Sequence, residues 1–457
     1  MPGTRNDPTR PRGGVVYLTA ICLVAALGGL LFGFDTAVVS GAVGFFRAEF
    51  GLSPSMTGWT ASSALLGCML GASVAGALSD GIGRRRVLLI SAILFTASAI
   101  GCGVAGTARD LVIWRIVGGM GIGIASMISP LYIAEVAPAR VRGLLVSLQQ
   151  FAIISGILGA YFSNTLILHT GLGDAAKWRW MFAVGAFPAT AFFALLLPVP
   201  ESPRWLLKQG LDDQAARVLA RVSGGADPAA QIAEIRDAIA HEGGSLRELL
   251  HPGLRRALWV GVVLAVLQQV TGINAILYYA PEIFKGAGAA ASRAFNDTIW
   301  IGIFNLLFTI VAMFTIDRLG RKPLLVGGAI GMGISLLVLA SAFDARASGI
   351  WLLVVILAYV SCFAASLGPV VWVVMSEIFP TRIRGRAMSI ATVSLWAGCY
   401  LVSQTFPMLI DAAGGATAFR TYAAFCAVAI AFVWLAVPET RGRSLEEIER
   451  AWQPQKR

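Results

Sequence analysis

A single carboxylate inside the first long apolar segment has the clearest capacity for chemistry. Asp35 is the one charged residue in the stretch 15–46, well inside the hydrocarbon that such a stretch would cross. An intramembrane carboxylate costs several kcal/mol unless it is paired, hydrated or protonated, and such residues commonly mark ion paths. Its affinity for a proton depends on burial and on nearby charge, so the proton can be exchanged when the surroundings change. We therefore expect Asp35 to couple proton movement.

The expected partner of Asp35 is Arg115, about a turn and a half into the fourth apolar segment. At 1.5 Å per residue, Asp35 lies roughly 16 Å from the outer end of its segment, a depth that the long arginine side chain can reach. A purely structural buried salt bridge is the alternative to proton coupling. The three histidines (His169, His241 and His251) lie at or outside segment ends, which argues against a histidine proton relay.

Neutral polar residues inside the apolar segments form a second group of candidates. Amides, phenols and indoles supply the many hydrogen bonds and flat apolar faces that a sugar requires. Gln268 and Gln269 are adjacent and precede Gly272 and Asn274, and a glycine there would let the helix bend and expose backbone groups. The other candidates are Gln150, Tyr278, Tyr279, Asn305, Trp372 and Trp396. Hydrogen bonding between helices is the alternative role for such amides.

Acidic and basic residues at the segment ends repeat along the chain. Glu135, Pro138, Arg140, Arg142 and Gly143 return with the same spacing as Glu377, Pro380, Arg382, Arg384 and Gly385. Asp80-Gly-Ile-Gly-Arg84-Arg85 returns as Asp317-Arg-Leu-Gly-Arg321-Lys322, and Pro200-Glu201-Ser202 as Pro438-Glu439-Thr440. Three motifs in the same order indicate two six-helix halves of one orientation, a parallel repeat typical of transporters.

These motifs predict ion pairs at the helix ends, because carboxylate and guanidinium groups form charge-assisted bonds. Pairs such as Asp80 with Arg84 and Glu135 with Arg142 could latch one side of the bundle in one conformation. The alternative is that the arginines only fix topology and bind lipid phosphate. The predicted latch residues are Asp80, Arg84, Arg85, Glu135, Arg142, Glu201, Arg204, Asp317, Arg321, Glu377, Arg384 and Glu439.

The amino-acid composition indicates that the segments carrying these groups lie in a membrane. The 457 residues are 57% hydrophobic and only 13% charged, more apolar surface than one soluble core would hide. Stretches near the 20 residues needed to cross hydrocarbon recur about twelve times. The expected spans of this all-α membrane protein are 15–46, 57–79, 87–106, 111–134, 144–168, 178–199, 257–284, 295–316, 323–343, 350–379, 387–410 and 419–437.

The charge distribution predicts topology rather than nucleic-acid binding, despite a net charge of +11. Arginines cluster after spans 2, 4, 8 and 10, and the positive-inside rule makes that side cytoplasmic, together with both termini. The predicted division is a cytoplasmic N-terminal tail (1–14), a first half (15–200), a cytoplasmic helical linker (201–255), a second half (256–438) and a cytoplasmic C-terminal tail (439–457). We expect no signal peptide.

Several sequence features argue against an enzyme or a metal protein. The six cysteines (Cys22, Cys68, Cys102, Cys362, Cys399 and Cys426) lie singly inside apolar segments, where packing is their default role. Glycine pairs such as Gly67 with Gly71 and Gly119 with Gly123 predict close helix contacts. We find no nucleophile triad, phosphate loop or metal cluster in the sequence, and we expect no cofactor.

The motifs together resemble the sugar porter family of the major facilitator superfamily, and within it the bacterial proton-coupled carriers of xylose and glucose. The resemblance covers nearly the whole chain. The residues that carry it are Gly83-Arg84-Arg85, Glu135 to Gly143, Pro200 to Trp205, Gln268 to Tyr279, Gly320-Arg321-Lys322 and Pro438 to Gly442.

The resemblance implies a major facilitator fold and a proton-coupled monosaccharide symporter of the bacterial inner membrane that works as a monomer. It implies sugar contacts from Gln150, Gln268, Gln269, Asn274, Asn305 and Trp372, with Asp35 as proton site and Arg115 as its partner. Human facilitative glucose carriers lack a carboxylate at the position of Asp35, which favours symport. Xylose carriers have glutamine and asparagine where this chain has Leu395 and Cys399, so the sugar is open. A uniporter, an inositol or polyol symporter and a sugar sensor are the alternatives.

Overall fold

The structure is a computed structural model that describes residues 12–224, 227–240, 252–346, 349–379 and 384–441, and every regular element in them is a helix. The helices are α1 (Arg12–Phe50), α2 (Pro54–Ile82), α3 (Arg84–Gly103), α4 (Ala108–Val136), α5 (Ala139–Leu168), α6 (Asp174–Ala183), α7 (Ala186–Leu196), α8 (Pro203–Lys208), α9 (Asp212–Val222), α10 (Ala229–Ala240), α11 (Pro252–Val270), α12 (Ile273–Gly286), α13 (Ala291–Leu319), α14 (Arg321–Asp344), α15 (Ile350–Ala365), α16 (Leu367–Ile378) and α17 (Arg384–Ala436).

Twelve membrane crossings can be traced through these helices. Eleven helical segments among the described residues are long and apolar enough to cross hydrocarbon. The last of them, α17, has 53 residues and would extend about 80 Å if it were straight, against a hydrocarbon thickness of about 30 Å. Gly414 interrupts α17 with φ 78° and ψ 162°, a conformation that glycine adopts without strain. Because α17 therefore supplies two crossings, the predicted all-helical fold with twelve spans is confirmed.

The two ends of the bundle can be distinguished by the turns that they hold. α2 is followed by α3 at Arg84, and α13 is followed by α14 at Arg321. We call the end that holds these two turns the arginine end, and the other the opposite end. The short helices α8, α9 and α10 lie at the arginine end, where α8 contacts α4 and α9 contacts α1. The indole N–H of Trp205 on α8 donates to the Asp80 carbonyl at 3.0 Å, so this linker covers the first half.

Glycines allow the closest helix contacts in the first half. A Cβ on Gly119 of α4 would lie 1.8 Å from the Ala64 carbonyl oxygen, and one on Gly67 of α2 would lie 2.1 Å from that of Ile116. Those distances are far inside van der Waals contact, so only glycine permits this approach. The close helix contacts predicted for these glycines are present, between α2 and α4, and small residues at such an interface are typical of membrane helices.

The group α1–α7 and the group α11–α17 meet toward the opposite end in the described part of the chain. Gln404 accepts a hydrogen bond from Ser62 at 3.1 Å and donates one to the Ser55 carbonyl at 3.0 Å. Tyr161 donates to the Leu277 carbonyl at 3.0 Å. Because α1 ends and α2 begins at the opposite end, these contacts close the bundle there.

Candidate functional site

The predicted ion pair between Asp35 and Arg115 is present in the interior of the first half. Arg115 Nη1 lies 2.7 Å from Asp35 Oδ2, and the side chains are 1% and 15% exposed, respectively. The same nitrogen lies 3.3 Å from the Asp35 carbonyl oxygen. α1 supplies the acid and α4 the base. An ion pair this deep requires mutual compensation, because breaking it leaves an uncompensated buried charge.

The guanidinium of Arg115 is only partly satisfied by its protein partners. Its Nε and Nη2 are buried and have no hydrogen-bond partner among the described residues, and its Cζ lies 5.4 Å from the centre of the Phe182 ring. An arginine that spends one of its five N–H donors on a carboxylate has the capacity to rearrange. Those two nitrogens therefore leave the guanidinium with N–H donors that no described residue occupies.

A second group of residues forms where two membrane-spanning helices are broken. α11 ends at Val270 and α12 starts at Ile273, because Gly272 takes φ 96°, as its position in the sequence predicted. The freed carbonyl of Thr271 accepts a hydrogen bond from Tyr359 at 3.0 Å. α15 and α16 are likewise separated at Ser366, which has φ −137° and ψ −94°. Broken helices of this kind expose backbone groups to a binding site in many transporters.

A chain of amides connects the two breaks. Gln268 Nε2 donates to the carbonyls of Leu367 and Gly368 at 2.7 and 3.0 Å. Gln269 donates to Gln268 at 3.1 Å, and Asn274 donates to Gln269. These bonds use both N–H groups of Gln268. One N–H of Gln269 remains for another partner, as does the part of the Asn274 amide that its bonds to Gln269 and Cys399 leave free, so the amides are held in place and still have hydrogen bonds to offer.

Tyr278 connects the amide chain to the ion pair. The Cys399 thiol has both Asn274 and Tyr278 as side-chain partners, and Tyr278, which is buried, lies close enough to Asp35 and Arg115 to feel their charges. Tyr278 is therefore within electrostatic range of the ion pair and shares Cys399 with the amide chain.

Trp396 is the second aromatic residue that the structure places at this centre. It is buried, its ring contacts Phe32 edge-on with centroids 5.3 Å apart, and its indole N–H has no partner among the described residues. Phe32 comes from α1 and Trp396 from α17, so this contact joins the two halves. Two apolar rings beside one unpartnered indole N–H suit a sugar, which presents both an apolar face and hydroxyl groups.

The remaining predicted sugar contacts are placed but are not joined to the amide chain. Asn305 is buried on α13, whereas Gln150 and Trp372 are half-buried. Tyr279 donates to the Ser403 carbonyl at 2.9 Å and so has a structural partner. In the part of the chain that the structure describes, no hydrogen bond connects Gln150, Asn305 or Trp372 to Gln268, Gln269 or Asn274. Their role in sugar binding stays a prediction.

Two buried or partly buried residues that the sequence did not single out are Gln149 and Phe32. Gln149 is buried, and neither its amide nitrogen nor its oxygen has a partner in the described residues. It faces Gly29 of α1, where a Cβ would lie 2.8 Å from its Nε2. The paired glutamines at 149 and 150 were a signal, but sequence alone could not decide which one faces inward. Phe32 carried no polar signal.

The predicted latch residues form one cluster in each half at the arginine end. Arg84 lies 3.0 Å from Asp80 and 3.0 Å from Glu135, and Ser202 donates to the same Glu135. Glu201 accepts hydrogen bonds from the backbone N–H groups of Arg84 and Arg85. The repeat is preserved in the second half, where the matching residues are Arg321, Asp317, Glu377, Thr440, Glu439 and Lys322.

The predicted pair of Glu135 with Arg142 is wrong, and three further latch arginines lie as follows. Glu135 does not pair with Arg142 across the α4–α5 turn: it faces α3 and binds Arg84, and Arg142 is exposed. Arg85 binds backbone carbonyls, including that of Leu196 at 3.2 Å, rather than an acid. Arg204 is half-buried on α8. The side chain of Arg384 lies outside the described residues.

Glu201 and Glu439 differ in their affinity for a proton. Burial raises the pKa of Glu201 above its ordinary value of 4.5, although backbone N–H groups oppose the shift. Burial also acts to raise the pKa of Glu439, but hydrogen bonds from the backbone N–H groups of Arg441, Arg321, Lys322 and Thr440 outweigh it and lower the pKa. Within the described residues, no cluster of His, Cys, Asp and Glu is arranged to hold a metal.

Comparisons with known proteins agree with this geometry. Residues 21–452 match the family model described as sugar (and other) transporter. The arabinose-proton symporter of Bacillus subtilis is 42% identical over 452 residues, covering 98% of this chain and 97% of its own. The D-xylose-proton symporter of Escherichia coli is 42% identical over 476 residues, covering 96% of each chain. The inward open structure of the xylose transporter XylE from E. coli has a TM-score of 0.85 at 41% identity, with 95% of this chain and 100% of that one covered.

Proposed function

We propose, on the premise that this chain belongs to the sugar transporter family, that it carries a monosaccharide together with a proton by alternating access. The substrate class is a pentose or hexose. The observation that carries the proposal is the Asp35–Arg115 ion pair, whose charges reach Tyr278 beside the amides Asn274 and Gln269. Arabinose- and xylose-proton symporters among its relatives support it.

The proton step follows from the chemistry of the pair. Ionised Asp35 holds Arg115 at 2.7 Å. Protonation of Asp35 removes the negative charge, and the two buried, unpartnered nitrogens of Arg115 then favour movement toward other acceptors. Because α1 and α4 carry these two residues, that movement changes how the helices pack. Proton binding thereby shifts the balance between two conformations.

Sugar binding falls to the amide chain and the aromatic pair. Gln269 and Asn274 have hydrogen bonds to offer, and Trp396 has a free N–H over an apolar ring contact with Phe32. Gln150, Gln268, Tyr278, Asn305 and Trp372 complete the proposed site. In place of two polar residues of xylose carriers, this chain has Leu395, the neighbour of Trp396 in the sequence, and Cys399, a partner of Asn274, which favours a sugar with fewer hydroxyl contacts on that side.

The arginine end is the cytoplasmic end in this proposal. Arg85, Arg86 and Arg318 and the linker helices lie there, and the positive-inside rule puts such residues in the cytoplasm. The closed opposite end and the likeness to an inward open relative support an inward-facing state. We place the protein in a bacterial inner membrane, with both termini cytoplasmic and the predicted domain boundaries, as a monomer contacted by lipid.

A proton-flux experiment in oriented proteoliposomes tests the proposal. Pentoses, hexoses and polyols are added outside, and external alkalinisation is recorded with labelled-sugar uptake. The expected result is one proton per sugar and accumulation driven by membrane potential, since 100 mV supplies roughly 2.3 kcal/mol per charge, or nearly two decades. Asp35→Asn should abolish accumulation and retain sugar exchange. Asp174→Asn is the matched control, because Asp174 is 75% exposed and pairs only with nearby Lys177.

Each outcome separates the candidate functions. Sugar equilibration without alkalinisation in the wild-type protein would make it a facilitative uniporter with a structural ion pair. Alkalinisation with inositol or another polyol alone would change the substrate class. Accumulation that survives Asp35→Asn would remove Asp35 from the coupling mechanism.

A further inference from the structure

A cavity of about 740 Å³ lies at the arginine end, between the first half and the linker helices α8 and α9. It is separate from the Asp35 and Gln268 sites. Its polar lining is basic, with Arg85 and Arg86 from the start of α3 and Arg217 and Arg221 from α9. Apolar and aromatic residues complete the walls, among them Tyr17, Trp205, Leu206, Leu211 and Val218.

The charge of this cavity is strongly unbalanced. Four arginines line it against one acid, Glu201, which gives a formal lining charge of +3. The Glu201 carboxylate is already occupied by the backbone N–H groups of Arg84, Arg85 and Ser202. Asp212 at the start of α9 pairs with Arg236 at 2.7 Å instead.

The arginine side chains retain donors for a ligand. Arg86, Arg217 and Arg221 are exposed, and none forms an ion pair with another described residue. Arg221 is positioned by Tyr17, with its Cζ 5.2 Å from the ring centre. Arg85 is positioned by the Leu196 and Leu197 carbonyls. Like charges gathered in one concave site repel each other unless an anion lies between them.

We propose that this cavity binds a molecule in which a phosphate group is attached to an apolar or aromatic moiety. Guanidinium groups bind phosphate oxygens with paired, charge-assisted hydrogen bonds, and the leucine and tryptophan walls accommodate the rest of the molecule. The phosphate belongs either to an anionic lipid headgroup or to a soluble phosphate ester. A bound phosphate joins α3 to α9 and fastens the linker over the first half. This inference does not depend on the proposed sugar transport.

The test measures dissociation constants of the full-length, delipidated protein in detergent for three probes. Dioctanoyl phosphatidic acid presents a lipid phosphate, glycerol 3-phosphate presents the same phosphate without tails, and dioctanoyl phosphatidylcholine is the zwitterionic control. We expect binding of at least one phosphate monoester and none of phosphatidylcholine at the same concentration. Arg217→Gln and Arg221→Gln should each weaken binding about tenfold, the size expected for one charged hydrogen bond.

Arg142→Gln is the matched control, since Arg142 is exposed at the same end of the bundle and lies outside the cavity lining. It should leave affinity within about twofold. Binding of phosphatidic acid alone would assign the site to lipid, and binding of glycerol 3-phosphate would assign it to soluble esters as well. Failure of both phosphates to bind, or equal weakening by all three substitutions, would overturn the proposal. Thermal unfolding of each variant checks that the fold is retained.

Discussion

The two ion-pair clusters at the arginine end, one in each half, are built from the same residue types around the same backbone turn. In the first half, Gly83 takes φ 98° and Arg84 binds Asp80 and Glu135. In the second, Gly320 takes φ 93° and Arg321 repeats those contacts. Each arginine also donates to the backbone carbonyl five residues before it. The repeat in the sequence therefore extends to individual hydrogen bonds.

The clusters differ in how well they are covered. The Arg84 and Glu135 side chains are 4% and 6% exposed, but those of Arg321 and Glu377 are 10% and 21% exposed. In the first half, the linker helix α8 packs against α4 and lies over the cluster. Because charge interactions strengthen as water is excluded, the same ion pair should matter more in the first half. The two clusters therefore differ in how well they are shielded from water, and not in the local geometry of their ion pairs.

The largest expected effect comes from removing each arginine. Arg84→Met leaves Glu135 buried without its counterion, which should destabilise the protein by about 3–5 kcal/mol. Arg321→Met leaves the more exposed Glu377, which water can reach, and should cost only about 1–3 kcal/mol. The measurement is unfolding by sodium dodecyl sulfate in mixed micelles, followed by tryptophan fluorescence.

A double substitution controls for loss of packing. Arg84→Met combined with Glu135→Gln removes both charges and should recover part of the stability lost by Arg84→Met alone. Equal losses from Arg84→Met and Arg321→Met would contradict the role assigned to the linker cover.

A smaller effect is expected at the glycines that begin α3 and α14. An alanine Cβ at Gly83 would lie 2.3 Å from Glu201 Oε2, whereas at Gly320 it would lie 2.9 Å from Glu439 Oε2. Both substitutions force a positive φ, at about 1–3 kcal/mol, and the shorter distance adds strain in the first half. Gly81→Ala, with nothing near its Cβ, should be neutral in the same unfolding assay. A Gly320→Ala loss as large as that of Gly83→Ala would show that the backbone conformation alone matters.

The sequence was sufficient for features that depend on local physics. Apolar length predicted the twelve crossings, and the differences lie at the ends of spans and at breaks within them. Gly272 predicted the break between α11 and α12 because its lack of a side chain permits φ 96°. The pair of Asp35 with Arg115 was predicted because a buried carboxylate needs a counter-charge.

Features that depend on how helices rotate about their axes could not be predicted. Glu135 lies seven residues before Arg142, but the rotation of α4 turns its side chain toward Arg84 on α3. Gln149 and Gln150 differ by about 100° around α5, and only packing shows that Gln149 is the buried one. The break at Ser366 had Gly368 and Pro369 beside it as signals, yet the continuous apolar stretch concealed it.

The smallest expected effect is a difference in pH dependence between Glu201 and Glu439. The pKa of Glu201 is raised by burial, so the folded state holds its proton more tightly than the unfolded state does. Its contribution therefore favours folding below pH 4.5 and is lost as pH rises through the raised pKa. The pKa of Glu439 is lowered, since four backbone N–H groups outweigh its burial. Its contribution is present above pH 4.5 and is lost as pH falls through the lowered pKa.

Glutamine substitutions should make this opposition measurable. At pH 7, Glu439→Gln should lower the unfolding midpoint more than Glu201→Gln does, because only Glu439 is stabilised there by its charge. Below pH 4.5 the Glu439→Gln deficit should shrink as the wild-type side chain becomes protonated through its lowered pKa. Thermal unfolding from about pH 3 to pH 7 provides the measurement, with Asp411→Asn as the control because Asp411 is exposed and lies outside both clusters. Parallel pH profiles for the two glutamate variants would contradict the opposite pKa shifts that burial gives Glu201 and backbone hydrogen bonds give Glu439.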